Sequence, residues 1–470
     1  MHTSDTIKPN FTAVRNACKL CAPLGASLVF KGIEGCVPLI HGSQGCATYI
    51  RRYMISHYKE PVDIASSNFS EESTIYGGAK NFITGIDNII KQYHPKVIGI
   101  ASTCLSETIG EDVPALIQQY EKAHQDEELP IFIYASTPSY QGSHMDGFHE
   151  TVLASVKVMA ESGATGSHIN IFSGFISPAD IRYLKEIMHD FKLDAIILPD
   201  FSDSLDNPHW KDYKLLPEGG TPLIDMKRTG SAKASIEFGT VFNKGSLSGR
   251  IKNLKNIHTA GTWLEDKKSV PNTQMQLPIG MGATDKFFQL LSELGGEKMP
   301  LCHERERGRL IDSYVDGHKY VFGKRAIVYG EEDFVIAMVS FLLEIGMVPV
   351  LVASGGESSL LKKEINKLIE ASNAPFDKEP LVMNAMDFET INELSDELQA
   401  DILIGNSKGY YIARRLQIPL VRVGFPIHDR FGAQRLLHIG YRGTQALFDT
   451  ITNALIAYKQ EQSKVGYKYI

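Results

Sequence analysis

The sequence predicts an α/β protein of three Rossmann-like, doubly wound domains with parallel sheets. Short β-branched apolar runs alternate with longer segments of helical periodicity along the whole chain. The apolar runs are continuous, which is typical of strands that helices cover on both faces. Alternation of strands and helices implies parallel sheets with right-handed crossovers.

Eight apolar runs predict strands, and they fall into three series along the chain. The predicted strands are residues 97–101, 131–134, 169–172, 195–198, 325–329, 348–352, 401–404 and 420–423. The three series predict domains at 1–165, 166–300 and 301–470. The segment 202–273 contains Gly, Pro and Asn and has weak periodicity, so we expect long loops there.

Helical patterns lie between these strands. Residues 82–93 place five apolar side chains on one stripe. Pro178, directly after the candidate cap Ser177, indicates the first turn of another helix. The segments 333–345 and 443–458 show the same periodicity and complete the doubly wound pattern.

Composition limits the class of protein. The chain has 470 residues, of which 43% are hydrophobic and 22% charged, with a formal net charge of −7. These values exclude a disordered, collagen-like or membrane-embedded chain and give no support for a nucleic-acid partner. The polar first ten residues lack the apolar core of a secretory leader, and no apolar stretch reaches 18 residues. We therefore expect a cytoplasmic protein without a membrane partner.

The cysteines are few but clustered. Five of the six fall in the first quarter of the chain, and they are Cys18, Cys21, Cys36, Cys46 and Cys104. Six cysteines in a chain of this length are too few for a disulfide scaffold. In a reducing compartment, such clustering suggests a metal site, a metal–sulfur cluster or redox chemistry.

Three cysteines lie where a ligand would bind. Cys104 follows the predicted strand 97–101, and ligands of open α/β sheets bind at the carboxyl ends of strands. Cys46 ends a loop, HGSQGC, whose glycines let the backbone approach a bound group. Cys21 begins the segment CAPLGA, which opens an apolar helix.

Each of these cysteines alone could be a small buried hydrophobic residue. Together, three loop cysteines beside glycine-containing turns favour thiolate ligation of iron and sulfur. Zinc is less favoured, because Cys18 and Cys21 form a single Cys-x-x-Cys pair without a second one at regular spacing. The glycine pairs at 77–78 and 355–356 complete no nucleotide-binding fingerprint, and the sequence contains no nucleophile elbow.

The motifs as a set resemble the nitrogenase component 1 family, and within it the beta-type chains. The matching segments are CAPLGA (21–26), HGSQGC (41–46), HYKEP (57–61), TCLSET (103–108), TPSY (137–140), LPIG (277–280), ERGRL (306–310), GFP (424–426) and GYRG (440–443). The cysteine separations, 46 − 21 = 25 and 104 − 46 = 58, also resemble those of the family.

The resemblance implies a site, a cofactor and partners. Cys21, Cys46 and Cys104 match the beta-side thiolate ligands of an iron–sulfur cluster, either of P-cluster type or four-iron. Ser139 matches a serine that ligates one iron in the oxidised cluster. The cluster would be shared with a homologous alpha-type chain in an alpha2beta2 heterotetramer. An ATP-dependent iron protein would dock over the interface as the reductase.

Two functions are compatible with this resemblance. One is a scaffold on which the iron–molybdenum cofactor matures; the other is a catalytic nitrogenase (molybdenum, vanadium or iron-only) or a nitrogenase-like reductase. The short stretch before Cys21 and the edge segments 16–21 and 465–469 favour the scaffold. Retention of all four matched residues is compatible with both and gives some support to the catalytic chain. A metal-free α/β interaction protein is a third, less favoured hypothesis.

The other candidate residues have simpler interpretations. The substrate-reducing cofactor belongs to alpha-type chains of the family, so we do not expect this chain to hold it alone. Cys18 and Cys36 are expected to be buried bystanders, and Cys302 an incidental or packing residue. His428 and His438 are expected to be structural or surface residues.

Overall fold

The computed structural model describes residues 16–241, 258–372 and 376–464. It contains three parallel sheets of four, four and five strands, each flanked by helices, which confirms the predicted fold class. All eight predicted strands are present; their first residues agree with the prediction within one position and their last residues within two. No helix in these described ranges combines the length and apolarity needed to cross a membrane.

The first sheet has the strand order β2-β1-β3-β4. Its strands are β1 (Cys36–His41), β2 (Ala65–Ser66), β3 (Val97–Ser102) and β4 (Ile131–Ala135). Its helices are α1 (Ala22–Lys31), α2 (Gln44–Tyr58), α3 (Glu71–Tyr76), α4 (Ala79–Tyr93), α5 (Cys104–Thr108), α6 (Val113–Ala123) and α7 (His144–Met159). β1 and β3 are buried along their whole length, because helices cover both faces of the sheet.

The second sheet has the strand order β6-β5-β7-β8. Its strands are β5 (Ile169–Phe172), β6 (Ala195–Leu198), β7 (Ala234–Phe238) and β8 (Asn272–Met275). Its helices are α8 (Pro178–Asp190), α9 (Leu223–Arg228), α10 (Ala260–Lys268) and α11 (Met281–Gly295). Ser177 caps α8 as predicted, since its hydroxyl accepts a hydrogen bond from the Asp180 N–H.

The third sheet has the strand order β11-β10-β9-β12-β13. Its strands are β9 (Arg325–Gly330), β10 (Val348–Ser354), β11 (Leu381–Met383), β12 (Ile402–Gly405) and β13 (Leu420–Arg422). Its helices are α12 (Leu301–Val321), α13 (Glu332–Glu344), α14 (Leu361–Glu370), α15 (Phe388–Ser395), α16 (Tyr410–Leu416) and α17 (Gly440–Gln462).

The expectation of long loops over 202–273 holds for residues 202–222, which contain no helix or strand. It is wrong for the residues of that segment that belong to β7, β8, α9 and α10. β7 carries a charged residue, Glu237, inside a fully buried strand. The Glu237 carboxylate accepts hydrogen bonds from the Thr259 hydroxyl and the Gln274 amide, so its burial is compensated. Because β7 contains Glu237 and β8 contains Gln274, these strands lack the continuous apolar run by which the other strands were recognised.

Each predicted domain contains the strands of one sheet, and we keep 1–165, 166–300 and 301–470 as the proposed boundaries. The beginning of the described chain nevertheless docks on the third domain. The Cys18 N–H donates to the Met386 carbonyl (2.9 Å), and the Phe388 N–H donates to the Asn16 carbonyl (3.1 Å).

A buried carboxylate joins the second and third domains. Asp180 is fully buried and accepts hydrogen bonds from the backbone N–H groups of His438 (2.7 Å) and Ile439 (3.1 Å). Its other oxygen lies 2.9 Å from His438 Nδ1. Burial raises the pKa of Asp180, but the contacts with His438 outweigh burial and hold the pKa below its usual value.

We expect Asp180→Ala to lower the free energy of unfolding by about 3–5 kcal/mol, since it leaves buried donors without their acceptor. Because the folded-state pKa is depressed, the contribution is present above the unfolded-state pKa of about 3.9 and is lost as the pH falls through the folded value. Denaturant unfolding at neutral and at acid pH measures both effects. Asp126→Ala, at an exposed position, is the control and should change stability by less than about 0.5 kcal/mol.

Candidate metal centre

The three predicted thiols lie at the start of three helices on the carboxyl side of the first sheet. Cys21 immediately precedes α1. Cys46 lies in the first turn of α2, which follows β1, and Cys104 is the first residue of α5, which follows β3. The positive end of each helix dipole therefore lies near a thiol, where it favours negative charge.

Ser139 connects two of these cysteines. Its backbone N–H donates a hydrogen bond to Cys104 Sγ (3.1 Å), and its hydroxyl accepts one from the Ala22 N–H (3.1 Å). Ser139 thus accepts a hydrogen bond from the first free N–H group of α1. In most helices the side chain of the N-cap residue accepts such bonds from the first turn. Cys21 is the N-cap residue of α1, but its side chain makes no capping hydrogen bond.

The charges around Cys21 influence the ionisation of its thiol. Burial raises the pKa of the Cys21 thiol, and charge on Cys46 and Cys104 raises it further. A hydrogen bond with Ser139 and the positive charge of Lys408 act in the opposite direction. The net pKa of Cys21 is raised, and burial is the largest cause.

The donor set fits an iron–sulfur cluster. All three cysteines are free; Cys21 and Cys46 are exposed, and Cys104 is half-buried. Thiolates with one hydroxyl nearby are suitable ligands for an iron–sulfur cluster. Because the thiols are open on one side, a second chain could supply further ligands.

The segment TCLSET holds Cys104 in place. The side chains of Thr103 and Ser106 form a capping box at the start of α5. The Thr103 hydroxyl also donates to the His41 carbonyl (3.1 Å), which ties this loop to the end of β1. The Glu107 carboxylate accepts hydrogen bonds from the Tyr134 (3.0 Å) and Ser136 (2.6 Å) hydroxyls.

Close approach of the loops after β1 and β3 depends on Gly42. A Cβ atom at this position would lie 2.2 Å from Thr103 Oγ1 and 2.6 Å from Thr103 Cγ2. On the same loop, the Ser43 hydroxyl donates to Cys46 Sγ (3.5 Å). The first glycine of HGSQGC thus sets the distance between the Cys46 and Cys104 loops.

Lys408 belongs to the site but was missed in the sequence. It comes from the third domain, shortly after β12, and its ammonium donates to the Ala17 carbonyl (3.0 Å). Burial lowers the pKa of Lys408, whereas charge on Cys18, Cys21 and Glu331 raises it, and burial prevails. The sequence offered one indication of this role, because Lys408 follows a predicted strand. No motif around Lys408 related it to the cysteines.

The remaining cysteines lie apart from this centre. Burial raises the pKa of Cys18 and of Cys36 to about 12, so both thiols are neutral packing residues, as expected. Cys302 lies on α12 beside Asp190. His438 is buried against the second domain and is structural, as expected.

Aromatic rings fill the space between the three domains. Phe425 contacts His57 (ring centroids 4.7 Å apart) and Phe175 (5.4 Å). The cavity that these rings and Tyr58 line has a volume of about 30 Å³.

A sequence model of the family described as nitrogenase component 1 type oxidoreductase matches residues 21–456. The chain belongs to this family. The nitrogenase molybdenum-iron protein beta chain of Clostridium pasteurianum is 37% identical, over 94% of this chain and 93% of that one. The beta chain of Frankia alni is 34% identical (94% and 82% covered), and that of Methanococcus maripaludis is 32% identical (97% and 97%).

Structure comparison agrees with this assignment. A solved structure of "Nitrogenase Cp1 at pH 6.5" matches with a TM-score of 0.91 at 35% identity, covering 99% of this chain and 98% of that chain. The resemblance to beta-type chains of nitrogenase component 1 is therefore confirmed. Chain length does not separate the two functions left open above, because coverage of relatives with the same name ranges from 82% to 97%.

We expect Gly42→Ala to lower the free energy of unfolding by about 1–3 kcal/mol, because the new methyl group forces the Cys46 and Cys104 loops apart. Gly45→Ala in the same motif is the matched control. A Cβ at Gly45 meets only the Ser43 hydroxyl, at 3.8 Å, and lies in a helix, so stability should be retained. Thermal unfolding of both variants measures the difference; equal losses would contradict the role given to Gly42.

Proposed function

We propose that this nitrogenase component 1 beta-type chain binds an iron–sulfur cluster at an interface with an alpha-type chain, in an alpha2beta2 heteromer that matures the iron–molybdenum cofactor for nitrogen fixation. The observation that carries the cluster assignment is the convergence of Cys21, Cys46 and Cys104, with Ser139 between two of them. Thiolates hold iron in clusters of low potential, and burial between two chains would exclude water.

The chain's own residues would hold and tune this cluster. Cys21, Cys46 and Cys104 would each donate one thiolate, and the Ser139 hydroxyl would be an additional oxygen ligand. Three helix N-termini and Lys408 would offset the negative charge of thiolates and cluster. When bound, the cluster would supply one-electron chemistry, and these groups would determine how readily it accepts charge.

The surface near the thiols supports a protein partner. Tyr49, three residues after Cys46, and Tyr140, next to Ser139, are both exposed. Aromatic side chains are enriched at interfaces between proteins. An alpha-type chain covering this face would complete the ligand set, and an ATP-dependent iron protein would deliver electrons across the same interface.

Two observations help to decide whether the chain belongs to a scaffold or to a catalytic nitrogenase. The scaffold rests on the resemblance of the edge segments 16–21 and 465–469 to those of scaffold beta chains; the second segment lies outside the described residues. The names of the relatives favour the second candidate, a catalytic beta subunit that passes electrons to a cofactor in the alpha chain. The aromatic filling between the domains is compatible with both, because neither role places that cofactor in this chain.

Anaerobic co-purification with the alpha-type chain separates the two candidates. Iron, molybdenum and vanadium are counted, and the clusters are identified by electron paramagnetic resonance. Four-iron clusters with a cofactor precursor that transfers to an acceptor protein support the scaffold. An eight-iron cluster, a permanently bound cofactor and turnover that depends on the iron protein would instead identify the catalytic subunit.

We expect Cys104→Ala to reduce the iron content and the assembly of the heteromer. The variant removes a ligand of the iron, and loss of a cluster shared by two chains weakens their association. Metal analysis and size-exclusion chromatography under anaerobic conditions measure both quantities. Cys36→Ala, at a buried thiol away from the centre, is the control and should retain its iron. Full iron content and unchanged visible absorption in Cys104→Ala would show that the ligand assignment is wrong.

We expect Lys408→Met to lower the midpoint potential of the cluster by tens of millivolts, because removal of a nearby partly buried cation disfavours the reduced, more negative state. Redox titration of the heteromer, followed by electron paramagnetic resonance, gives the potential. Lys408→Arg keeps the charge and should stay close to the wild type. Identical potentials in all three proteins would exclude an electrostatic role for Lys408.

A further inference from the structure

A second group of metal-binding side chains lies where the end of α8 meets the start of α12. Asp190 is the last residue of α8, and Cys302 and His303 lie in the first turn of α12. One ligand atom from each residue lies within 4.8 Å of the others. Asp190 Oδ2 is 3.6 Å from Cys302 Sγ and 3.0 Å from His303 Nε2.

The imidazole of His303 is oriented towards this group. Its side chain is only 1% exposed, and Nδ1 lies at hydrogen-bond distance (3.4 Å) from Glu306 Oε2. Nε2 is buried and makes no hydrogen bond within the described part of the chain, although it lies close to the Asp190 carboxylate. If Nδ1 carries the proton, the lone pair of Nε2 faces a carboxylate oxygen, and a cation between them satisfies both atoms.

Glu306 is itself firmly held. Its carboxylate accepts hydrogen bonds from the Tyr183 hydroxyl (2.8 Å) and from the Arg442 guanidinium (3.0 Å). A carboxylate that fixes the second nitrogen of a histidine is the usual outer partner of a metal-ligating histidine. Phe288 packs edge-on against the His303 ring (centroids 5.0 Å apart) and limits its rotation.

We propose that Asp190, Cys302 and His303 form a binding site for a divalent transition-metal ion of the zinc class. Sulfur, imidazole nitrogen and carboxylate oxygen are the donors that zinc prefers. Standard zinc bond lengths in a tetrahedron separate sulfur and oxygen ligands by roughly 3.6 Å and nitrogen and oxygen ligands by roughly 3.4 Å. The corresponding distances here are 3.6 Å and 3.0 Å, so a bound ion would move the His303 nitrogen and the Asp190 oxygen slightly apart. Water would complete the tetrahedron, because Cys302 is exposed and Asp190 is partly exposed.

The ion would join two domains. α8 packs on the second sheet, whereas α12 packs against α17 of the third domain. A metal held by Asp190 on one side and by Cys302 and His303 on the other would therefore stabilise the contact between the two domains. The site does not use the three cluster cysteines, so it stands whether or not the proposed function is correct.

Zinc binding to the full-length chain tests the proposal. The wild type and the variants Cys302→Ser, Asp190→Asn and His303→Gln are dialysed anaerobically against Zn²⁺ and then against metal-free buffer, and zinc is counted by mass spectrometry. We expect each variant to retain one equivalent fewer than the wild type, whatever zinc the cluster cysteines take up. His209→Ala, at an exposed histidine, is the control and should bind as the wild type does.

Two further measurements identify the ligands of the bound ion. Co²⁺ should give a thiolate charge-transfer band whose intensity falls in Cys302→Ser, and Zn²⁺ should raise the Tm of the wild type by more than that of this variant. Glu306→Gln should weaken zinc binding by roughly 10- to 100-fold without abolishing it. Since Cys302 and Asp190 lie at the surface, their variants decide the question even if His303→Gln fails to fold. Equal zinc content in the wild type and in both surface variants would overturn the proposal.

Discussion

Three helices begin at one edge of the first sheet, and each begins at or beside a cysteine. This convergence of α1, α2 and α5 is the constraint on which the proposed metal centre depends. The positive ends of these helices are fixed charges that favour negative charge at the three cysteines. The network around Thr103 and Glu107, together with the close approach at Gly42, holds the helix ends in register.

The centre also depends on contacts between domains. Residues 16–18, which lead into Cys21, dock on the third domain through backbone hydrogen bonds. The same domain contributes Lys408, the partly buried cation near the thiols. The second and third domains are in turn fixed by Asp180 and His438. All three cysteines belong to the first domain. Their position and the charge around them nevertheless depend on contacts with the other domains.

The buried polar groups explain where the sequence was misleading. A fully apolar strand such as β3 is recognised from its residues alone, since burial on both faces requires that pattern. β7 is equally buried but contains Glu237, whose hydrogen-bond partners come from residues 259–274. Such a strand is stable only because distant residues satisfy its carboxylate, and no local pattern reports that compensation.

The sequence by itself determined the α/β class, the eight apolar strands and the motifs that carry Cys21, Cys46, Cys104 and Ser139. Burial patterns and strand ends are local properties, so periodicity and motif spacing report them. Only the tertiary structure decided that Ser139 caps α1 in place of Cys21, that Lys408 binds the carbonyl of Ala17 ahead of Cys21, and that Asp190 meets Cys302 and His303. These contacts join residues more than a hundred positions apart, and their chemistry arises from distance and burial, which chain order does not encode.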